Sequence, residues 1–377
     1  MKIGFVCNEY PPVTCGGIGT FTRELAEMLV AQGDEVHVFG VYADVTDAIH
    51  ENVNGVEVHR YPAKPGIKGI WNNRRQLYNA VKCAAKEQQI EIIEIPDFEG
   101  YGAFWGRLAI PVVARLHGSV TYFNHELKRA PSRLMKYLEL ATLKRASGLI
   151  SVTHYAALET LSVFHLKQSY DVIHNGIAWP EDSDCKQNYE YTGRVVFTGS
   201  LMSKKGVFAL ASAWRQVKTR FPDASLTLIG KDTTENGSSA IAKVLELAGD
   251  GADIHHTGHI AKAELNAIVK TADVAIFPSF SESFGLGPVE AMALAVPTIY
   301  TQLSCGPEIV NQHVDGVLID PNDPDTISQA LIELLGDEAQ RERYGKAGRA
   351  RAASFSVATQ LAQNRAVYSR YIEATGL

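Results

Sequence analysis

Apolar residues along this chain fall into two alternating rhythms. Short uninterrupted runs predict buried strands, and longer stretches with apolar positions three and four apart predict amphipathic helices. Residues 2–7 read as a strand, followed by a helix at 18–31 whose Phe21, Leu25, Met28 and Leu29 share one face. Strands at 35–41 and 56–59, a helix at 70–88 and strands at 91–95 and 111–116 come next. Helix 132–146, strand 148–152, helix 154–163 and strand 170–173 complete a first series. A polar, turn-rich piece at 179–192 interrupts the rhythm. It then restarts with strand 194–198, helix 205–219, strand 224–229, helix 238–248, strand 253–257 and helix 261–270. Strand 273–277, helix 287–295 and strands 297–301 and 316–319 follow, and helices from 323, 337 and 356 close the chain. Repeated strand–helix alternation predicts parallel sheets covered on both faces, an α/β class. Two series predict two doubly wound, Rossmann-like domains, each with its ligands at the carboxyl ends of its strands.

Composition keeps this reading within soluble globular proteins: 46% apolar and 21% charged residues in a chain of 377. No apolar run approaches the ~20 residues of a membrane span. A leader peptide is not expected, because Asn8, Glu9, Pro11 and Pro12 interrupt the first apolar run. The five cysteines are odd in number and include no Cys-x-x-Cys, which favours reduced thiols and a cytoplasmic setting. The net charge of −6 comes from the second half. The first 176 residues are neutral but hold two basic clusters. Seven Lys/Arg and no acid lie between Arg60 and Lys86, and six against Glu139 alone between Leu127 and Arg145. Such clusters are either solvated helix faces or a surface for an anionic membrane or a phosphorylated acceptor. Nucleic acid is not expected, since the chain is acidic and carries no nucleic-acid motif.

The strongest chemical signal is the stretch from Ser279 to Glu290, after the apolar run Val274–Phe277 and Pro278. Glu282 falls in a turn and Glu290 about one turn into the next helix. Gly285 and Gly287 leave backbone N–H groups bare where that helix begins. Unpaired donors and the macrodipole there attract phosphate. Two carboxylates beside a phosphate trap suit hydroxyls, such as those of a ribose or a hexose. A phosphate with hydroxylated groups on either side describes a sugar nucleotide.

Glu-x7-Glu around Phe284-Gly285-Leu286 resembles the donor site of retaining glycosyltransferases of family 4, which have the two-domain GT-B fold. The resemblance covers nearly the whole chain, most strongly 194–320 and least 40–110. It implies an acceptor-side domain at 1–176, a nucleotide-sugar domain at 177–355, and a last helix, 356–377, returning to the first domain. It also implies that Glu290 binds the ribose, that Glu282 faces the donor sugar, and that Phe284, Gly285 and Leu286 lie against sugar and diphosphate.

Other motifs fit the same resemblance. Residues 10–19 join the first strand to the first helix, and adjacent glycines at a helix start permit close approach to phosphate. There Gly16 and Gly17 would meet the diphosphate or the acceptor. Gly17-Ile18-Gly19 could also open a dinucleotide fingerprint, but Thr22 stands where the third glycine belongs and no acid ends the second strand. His117, after a strand and before Gly118, matches the family's active-site histidine, with a role at the donor sugar and in charge placement rather than as a metal ligand. Lys205 matches the lysine that neutralises the leaving diphosphate. Ser200 stands where the family has arginine, so either Lys204 or the helix start alone would balance the second phosphate charge. An unpaired lysine at a helix start opposes the dipole, which favours a functional role. Asn175 sits at an Asn-Gly-Ile hinge, or is simply a turn residue. Gly230, His259 and Ile260 lie where the family holds the nucleobase. No Asp-x-Asp is placed to bridge a metal and a diphosphate, and Asp320–Asp325 read as loop and helix cap. No metal or cofactor is therefore expected beside the nucleotide-sugar donor.

The resemblance implies transfer of a hexose, with retention, from a UDP-hexose such as UDP-glucose to a glycan or lipid-linked acceptor of a cell-surface polysaccharide. The enzyme would be cytoplasmic, at the inner face of the membrane if the basic clusters bind lipid. A sugar-nucleotide epimerase of the same fold, or a nucleotide-sugar-binding protein without turnover, would carry the same motifs.

Overall fold

The computed structural model describes residues 1–13, 16–235 and 237–375, so Thr14 and Cys15 of the first glycine-rich loop lie outside the described residues. The chain divides into two compact units: Met1–His174 with Ala358–Leu377, and Asn175–Val357.

The first unit runs β1 (Lys2–Val6), α1 (Gly17–Ala31), β2 (Glu35–Tyr42), β3 (Ile49–Val53), β4 (Val56–Pro62), α2 (Gly66–Lys86), β5 (Ile92–Pro96) and β6 (Val112–Leu116). It continues through α3 (Val120–Glu126), α4 (Arg133–Arg145), β7 (Gly148–Ser151), α5 (His154–Phe164) and β8 (Tyr170–Val172). The eight strands order as β3-β4-β2-β1-β5-β6-β7-β8. All pairs are parallel except β3 with β4, which form an antiparallel hairpin at the edge. The sheet is thus mixed where the sequence predicts a purely parallel one. The cause is Asn54-Gly55, both left-handed (φ 53° and 88°), between the paired Val53 and Val56. Two successive positive φ values are what a two-residue hairpin turn requires. One sheet face packs Val36, Val38 and Val58 against Leu25 and Leu29 of α1, and the other packs Phe39 and Val41 against Leu77 and Val81 of α2.

The second unit runs β9 (Arg194–Thr198), α6 (Val207–Arg220), β10 (Ser225–Ile229), the hairpin β11 (Thr234–Glu235) and β12 (Ser238–Ser239), α7 (Ala240–Ala248) and β13 (Ile254–Gly258). Then come α8 (Lys262–Val269), β14 (Val274–Phe277), α9 (Leu286–Ala293), β15 (Thr298–Thr301), α10 (Gly306–Ile309), β16 (Val317–Ile319), α11 (Pro324–Gly336) and α12 (Glu338–Ala352). Its six-stranded sheet orders as β13-β10-β9-β14-β15-β16, parallel throughout. Trp214 of α6, fully buried, anchors the core on one face and donates its indole N–H to Ala252 O at 2.6 Å.

A last helix, α13 (Val357–Ala374), belongs to the first unit. There Arg115 of β6 and Glu94 of β5 form a buried bidentate pair, 2.7 Å on each arm. Tyr368 of α13 donates its hydroxyl to Glu94 at 2.6 Å, and Asn364 accepts from Arg115. The helix therefore completes an ionic cluster that could not stay buried uncovered.

Candidate functional site

The residues singled out in the sequence fall into two groups, one in each unit. In the second unit they gather at the carboxyl ends of the adjacent strands β10, β9 and β14, with β13 beyond β10. Glycines permit this convergence. Gly206 is left-handed (φ 74°), and a Cβ there would lie 1.7 Å from the Pro278 carbonyl oxygen. That approach lets Phe280 N–H donate to Lys204 O at 2.9 Å, which ties the short turn at 203–205 to the segment after β14. The result places Lys205 Nζ 2.5 Å from Glu282 Oε1, which also accepts the Ser279 hydroxyl at 3.0 Å. Burial pushes the Glu282 carboxyl up, but the ammonium groups of Lys205 and Lys204, helped by hydrogen bonds from Lys205 and Ser279, outweigh it and hold the group below the ordinary glutamate range. Glu282 is thus an acceptor at neutral pH. Lys205 is paired with it, not left bare against a helix dipole as the sequence suggests.

The loop after Glu282 is gripped from behind by β15 and the segment following it. Ser304 Oγ accepts the Glu282 N–H at 3.1 Å, and the Tyr300 hydroxyl and Cys305 thiol both donate to Phe284 O at 3.2 Å. Ser304, Tyr300 and Cys305 are invisible to motif reasoning, because single polar side chains in or after a strand carry no signal until packing brings them to the loop. Gly285 takes φ 82°, and a Cβ there would meet the Tyr300 hydroxyl oxygen at 2.2 Å. Gly287 brings the first turn of α9 close to Phe277 and Thr198. Phe284 departs from expectation. Its ring is 1% exposed and packs edge-on against Phe355, and its carbonyl is already engaged by Tyr300 and Cys305. Leu286, the first residue of α9, is exposed.

Glu290 lies on α9 and is ion-paired with Lys262, the first residue of α8. That pairing holds the carboxylate beside the loop bearing His259, which is exposed, and Ile260. Gly230 (φ 147°) sits directly on Gly199, where a Cβ would meet Gly199 O at 2.1 Å. Its carbonyl accepts His256 Nε2–H at 2.8 Å and its N–H donates to Gly258 O at 2.9 Å. Ser200 adjoins this junction, and both it and Lys204 are partly exposed. The turn bearing Lys205 is steadied by Glu235, which accepts both N–H and hydroxyl of Ser203 at 3.0 and 3.1 Å. Asn175 opens the second unit, its Oδ1 buried with no hydrogen-bond partner among the described residues.

In the first unit, His117 follows β6, and its N–H and that of Gly118 donate to the carboxylate of Asp97 at 3.0 and 3.2 Å. Its ring meets Phe21 edge-on at 4.7 Å. Burial, and then the Arg115 guanidinium, push its pKa down to about 3. The imidazole is therefore neutral, so it offers hydrogen bonds and not the positive charge that charge placement at a sugar would use. Asp97 was not foreseen; burial pushes it up to about 8 against the pull of the two amides. The first glycine loop also differs from expectation. Glu9 accepts the N–H of Gly16 at 3.1 Å and of Gly19 at 2.6 Å, so a carboxylate of the chain already occupies the start of α1. A Cβ on Gly17 would meet nothing within 4 Å.

No disulfide joins Cys7, Cys83, Cys185 and Cys305 to one another. Asp323 caps α11 by accepting Asp325 N–H at 3.0 Å. Among the described residues, one group of possible metal ligands gathers, His125, Glu126 and Glu159 in the first unit, with His125 Nδ1 already 2.8 Å from Glu159. No described helix is long and apolar enough to cross a membrane.

Residues 15–178 match the model of Glycosyltransferase Family 4, and residues 181–351 that of Glycosyl transferases group 1. An uncharacterized glycosyltransferase of Methanocaldococcus jannaschii is 25% identical over 366 residues, covering 91% of each chain. Among solved structures, sucrose-phosphate synthase of Thermosynechococcus elongatus superposes with a TM-score of 0.81 over 99% of both chains at 20% identity. HepE of Anabaena, in complex with UDP-glucose, gives 0.75 over 98% of this chain and 100% of the other at 17% identity. Adjacent matches spanning both units, on two parallel-sheet domains of this topology, make the chain a GT-B glycosyltransferase of the family 4 type.

Proposed function

We propose that the chain transfers a hexose, with retention and without a metal ion, from a UDP-hexose to a glycan or lipid-linked acceptor of a cell-surface polysaccharide. The observation that carries the reading is the Lys205–Glu282 pair at the approach to α9. Lys205 is a cation held beside an acceptor, close to a helix start whose first N–H groups have no partner within the helix. A departing diphosphate gains negative charge as the sugar bond breaks. Lys205 and the α9 amides are fixed before that charge appears, which is the condition for electrostatic catalysis. Glu282, held ionised, accepts hydroxyl hydrogens of the sugar. Glu290, with Lys262 beside it, accepts those of the ribose. Neutral His117 donates one hydrogen bond to the sugar or acceptor. The leaving phosphate takes the proton of the attacking hydroxyl, so no side chain serves as nucleophile.

UDP-glucose is the first donor to test, supported by the likeness to HepE. The experiment is incubation of the full chain with a panel of nucleotide sugars, with and without acceptor extract, in EDTA. Transfer to the extract with the anomeric configuration kept supports the reading. An altered sugar and free UDP without acceptor identify an epimerase, and donor binding without product identifies a non-catalytic protein. Loss of activity in EDTA, restored by Mn2+ or Mg2+, removes Lys205 and the α9 amides as sufficient charge at the diphosphate.

A further inference from the structure

A cavity of about 530 Å³ opens in the first unit where the connection from β5 to β6, the end of α4 and the end of α13 meet. Residues 105–112, Arg145 with Ser147, and Ala374 line it. Val112 is the first residue of β6 and His117 follows the last, so the whole length of that strand separates the cavity from the histidine. Sheets of this kind place their ligands at the carboxyl ends of the strands. A cavity at the amino ends of β6 and β7 is therefore a second place, with a chemistry of its own.

Its walls are apolar and its polar groups are donors. Leu108, Ile110 and Pro111 supply walls beside the Trp105 ring. Backbone acceptors at this edge are already taken: Pro111 O accepts Ile93 N–H at 3.1 Å, and Val112 O accepts Ser147 N–H at 2.6 Å. Ser147 Oγ accepts the Val112 N–H at 3.3 Å, which leaves its hydroxyl hydrogen as a donor. Trp105 is 2% exposed, yet its indole N–H has no partner among the described residues. A buried donor left bare is costly and calls for an acceptor from outside the chain. Arg107 and Arg145 add charge. Both are exposed, and neither makes a hydrogen bond or ion pair with a described residue. Other arginines of this unit turn inward to partners. Arg60 binds Glu51 and the Tyr10 and Pro11 carbonyls, and Arg74 binds the carbonyls of Ile70, Glu99 and Gly100. No Asp or Glu lines the cavity to offset Arg107 and Arg145.

We propose that this cavity binds a phosphate monoester carrying an apolar body. Two cations without a counter-charge match the nearly two negative charges of such a group at neutral pH. Guanidinium groups take phosphate oxygens in pairs, and the indole N–H and the Ser147 hydroxyl donate to those that remain. A bare phosphate would leave the apolar walls in water, whereas a cavity of this volume is of the size that holds a small organic molecule. Because Ala374 forms part of the wall, a bound molecule also pins the last turn of α13. The inference does not rest on the reaction proposed above, and its test needs no turnover.

The test is titration of the full chain with naphthyl phosphate, followed by calorimetry and by the indole N–H resonances of the four tryptophans. Trp105→Phe identifies the Trp105 signal. Saturable binding that shifts this signal and leaves the others in place is the expected result. Inorganic phosphate and neutral naphthol, each one half of the probe, should bind far more weakly. Arg107→Ala and Arg145→Ala should each lower affinity roughly tenfold or more, through the lost charge-assisted hydrogen bond. Both side chains are exposed, so these variants should keep the parent's melting temperature and UDP affinity. Trp105→Phe keeps the ring body and should lower affinity about fivefold. If that variant fails to fold, the two arginine variants and competition with UDP carry the test. Saturating UDP should leave the probe bound; displacement means entry into the donor site and overturns the proposal. So does binding that leaves the Trp105 signal unmoved, or inorganic phosphate or naphthoate bound as tightly as naphthyl phosphate. Binding of none of these probes also overturns it, and leaves water as the partner of Trp105.

Discussion

Lys205 and Glu282 form the central contact of the loop before α9, and the roles proposed for them separate by substitution. Lys205→Ala should lower turnover by roughly a hundredfold or more, since it removes a charge whose interaction strengthens as the diphosphate departs. A single-turnover assay checks this, and normal turnover in the variant would take Lys205 out of the mechanism. Lys204→Ala should cost little unless that lysine covers for the arginine that Ser200 replaces; Ser200→Arg then raises activity. Glu290→Ala should weaken binding of UDP itself, by the about 1.5–3 kcal/mol of a charge-assisted hydrogen bond, where Glu282→Ala affects sugar-dependent turnover more. Titration calorimetry with UDP decides, and an unchanged affinity in the folded Glu290 variant would leave that carboxylate as merely the partner of Lys262. Gly285→Ala should also impair the loop, because its Cβ would meet the Tyr300 hydroxyl at 2.2 Å in a left-handed backbone. Adding Tyr300→Phe should restore part of the loss and no more, since the strain of positive φ remains.

At the scale of elements, three imidazoles stack across the edge hairpin. His59 of β4 lies between His50 of β3, at 4.3 Å, and Phe39 of β2, at 4.7 Å, and its Nε2 is 3.1 Å from His37 Nδ1. Glu57 faces His50 at 2.7 Å and Glu35 faces His37 at 3.2 Å. Burial, and then the neighbouring His50 and His37, push His59 down from 6.5 to about 4. A depressed histidine takes its proton first in the unfolded chain, so stability is complete above about pH 6.5 and declines as pH falls toward 4. His117, pushed down to about 3, adds to the same decline. Melting temperatures across that range should fall steadily, and His59→Asn should flatten the slope without abolishing it. A slope unchanged by the substitution would mean that the stack opens before it titrates. The same hairpin marks the limit of sequence reading. Strand β9 is legible to the residue because Val195, Val196 and Phe197 form a buried run, whereas β3, Ile49–Val53, is an exposed edge with no run or alternation to betray it. Its signal was the turn pair Asn54-Gly55. In the loop before α9 and in that helix, the two glutamates and the glycines share one segment, so the sequence itself sets their spacing, whereas Lys205 arrives from a separate turn 77 residues earlier. Ser304, Tyr300, Cys305 and Lys262 were not legible, because only tertiary packing brings them there. Counting charges also cannot reveal that the stems of Arg60 and Arg74 turn inward.

At the scale of the whole chain, the polypeptide leaves the first unit near Asn175 and re-enters it at Ala358. The two crossings are neighbours. Ile177 N–H donates to Phe355 O at 2.9 Å and Val357 N–H donates back to Ile177 O at 3.1 Å. What α13 then supplies is concentrated at Asn364 and Tyr368, the cover of the Arg115–Glu94 pair. Burial raises the Tyr368 hydroxyl well above its ordinary pKa, and the adjacent Glu94 carboxylate adds to the shift, so it stays a neutral donor. Arg115→Ala should cost about 3–5 kcal/mol, because it strands Glu94 as a buried charge without its partner. Tyr368→Phe removes a single donor from that carboxylate and should cost about 1–3 kcal/mol. A chain ending at Ser356 loses both Asn364 and Tyr368, and hydrogen exchange should accelerate in β1, β5 and β6, the strands under that helix. Strands β9 and β14 lie in the other unit's core and should keep their protection, and UDP should still bind. Uniform loss of protection in both sheets would show that α13 stabilises more than the unit it belongs to. Unchanged exchange in β5 and β6 would show that the ionic pair survives without its cover.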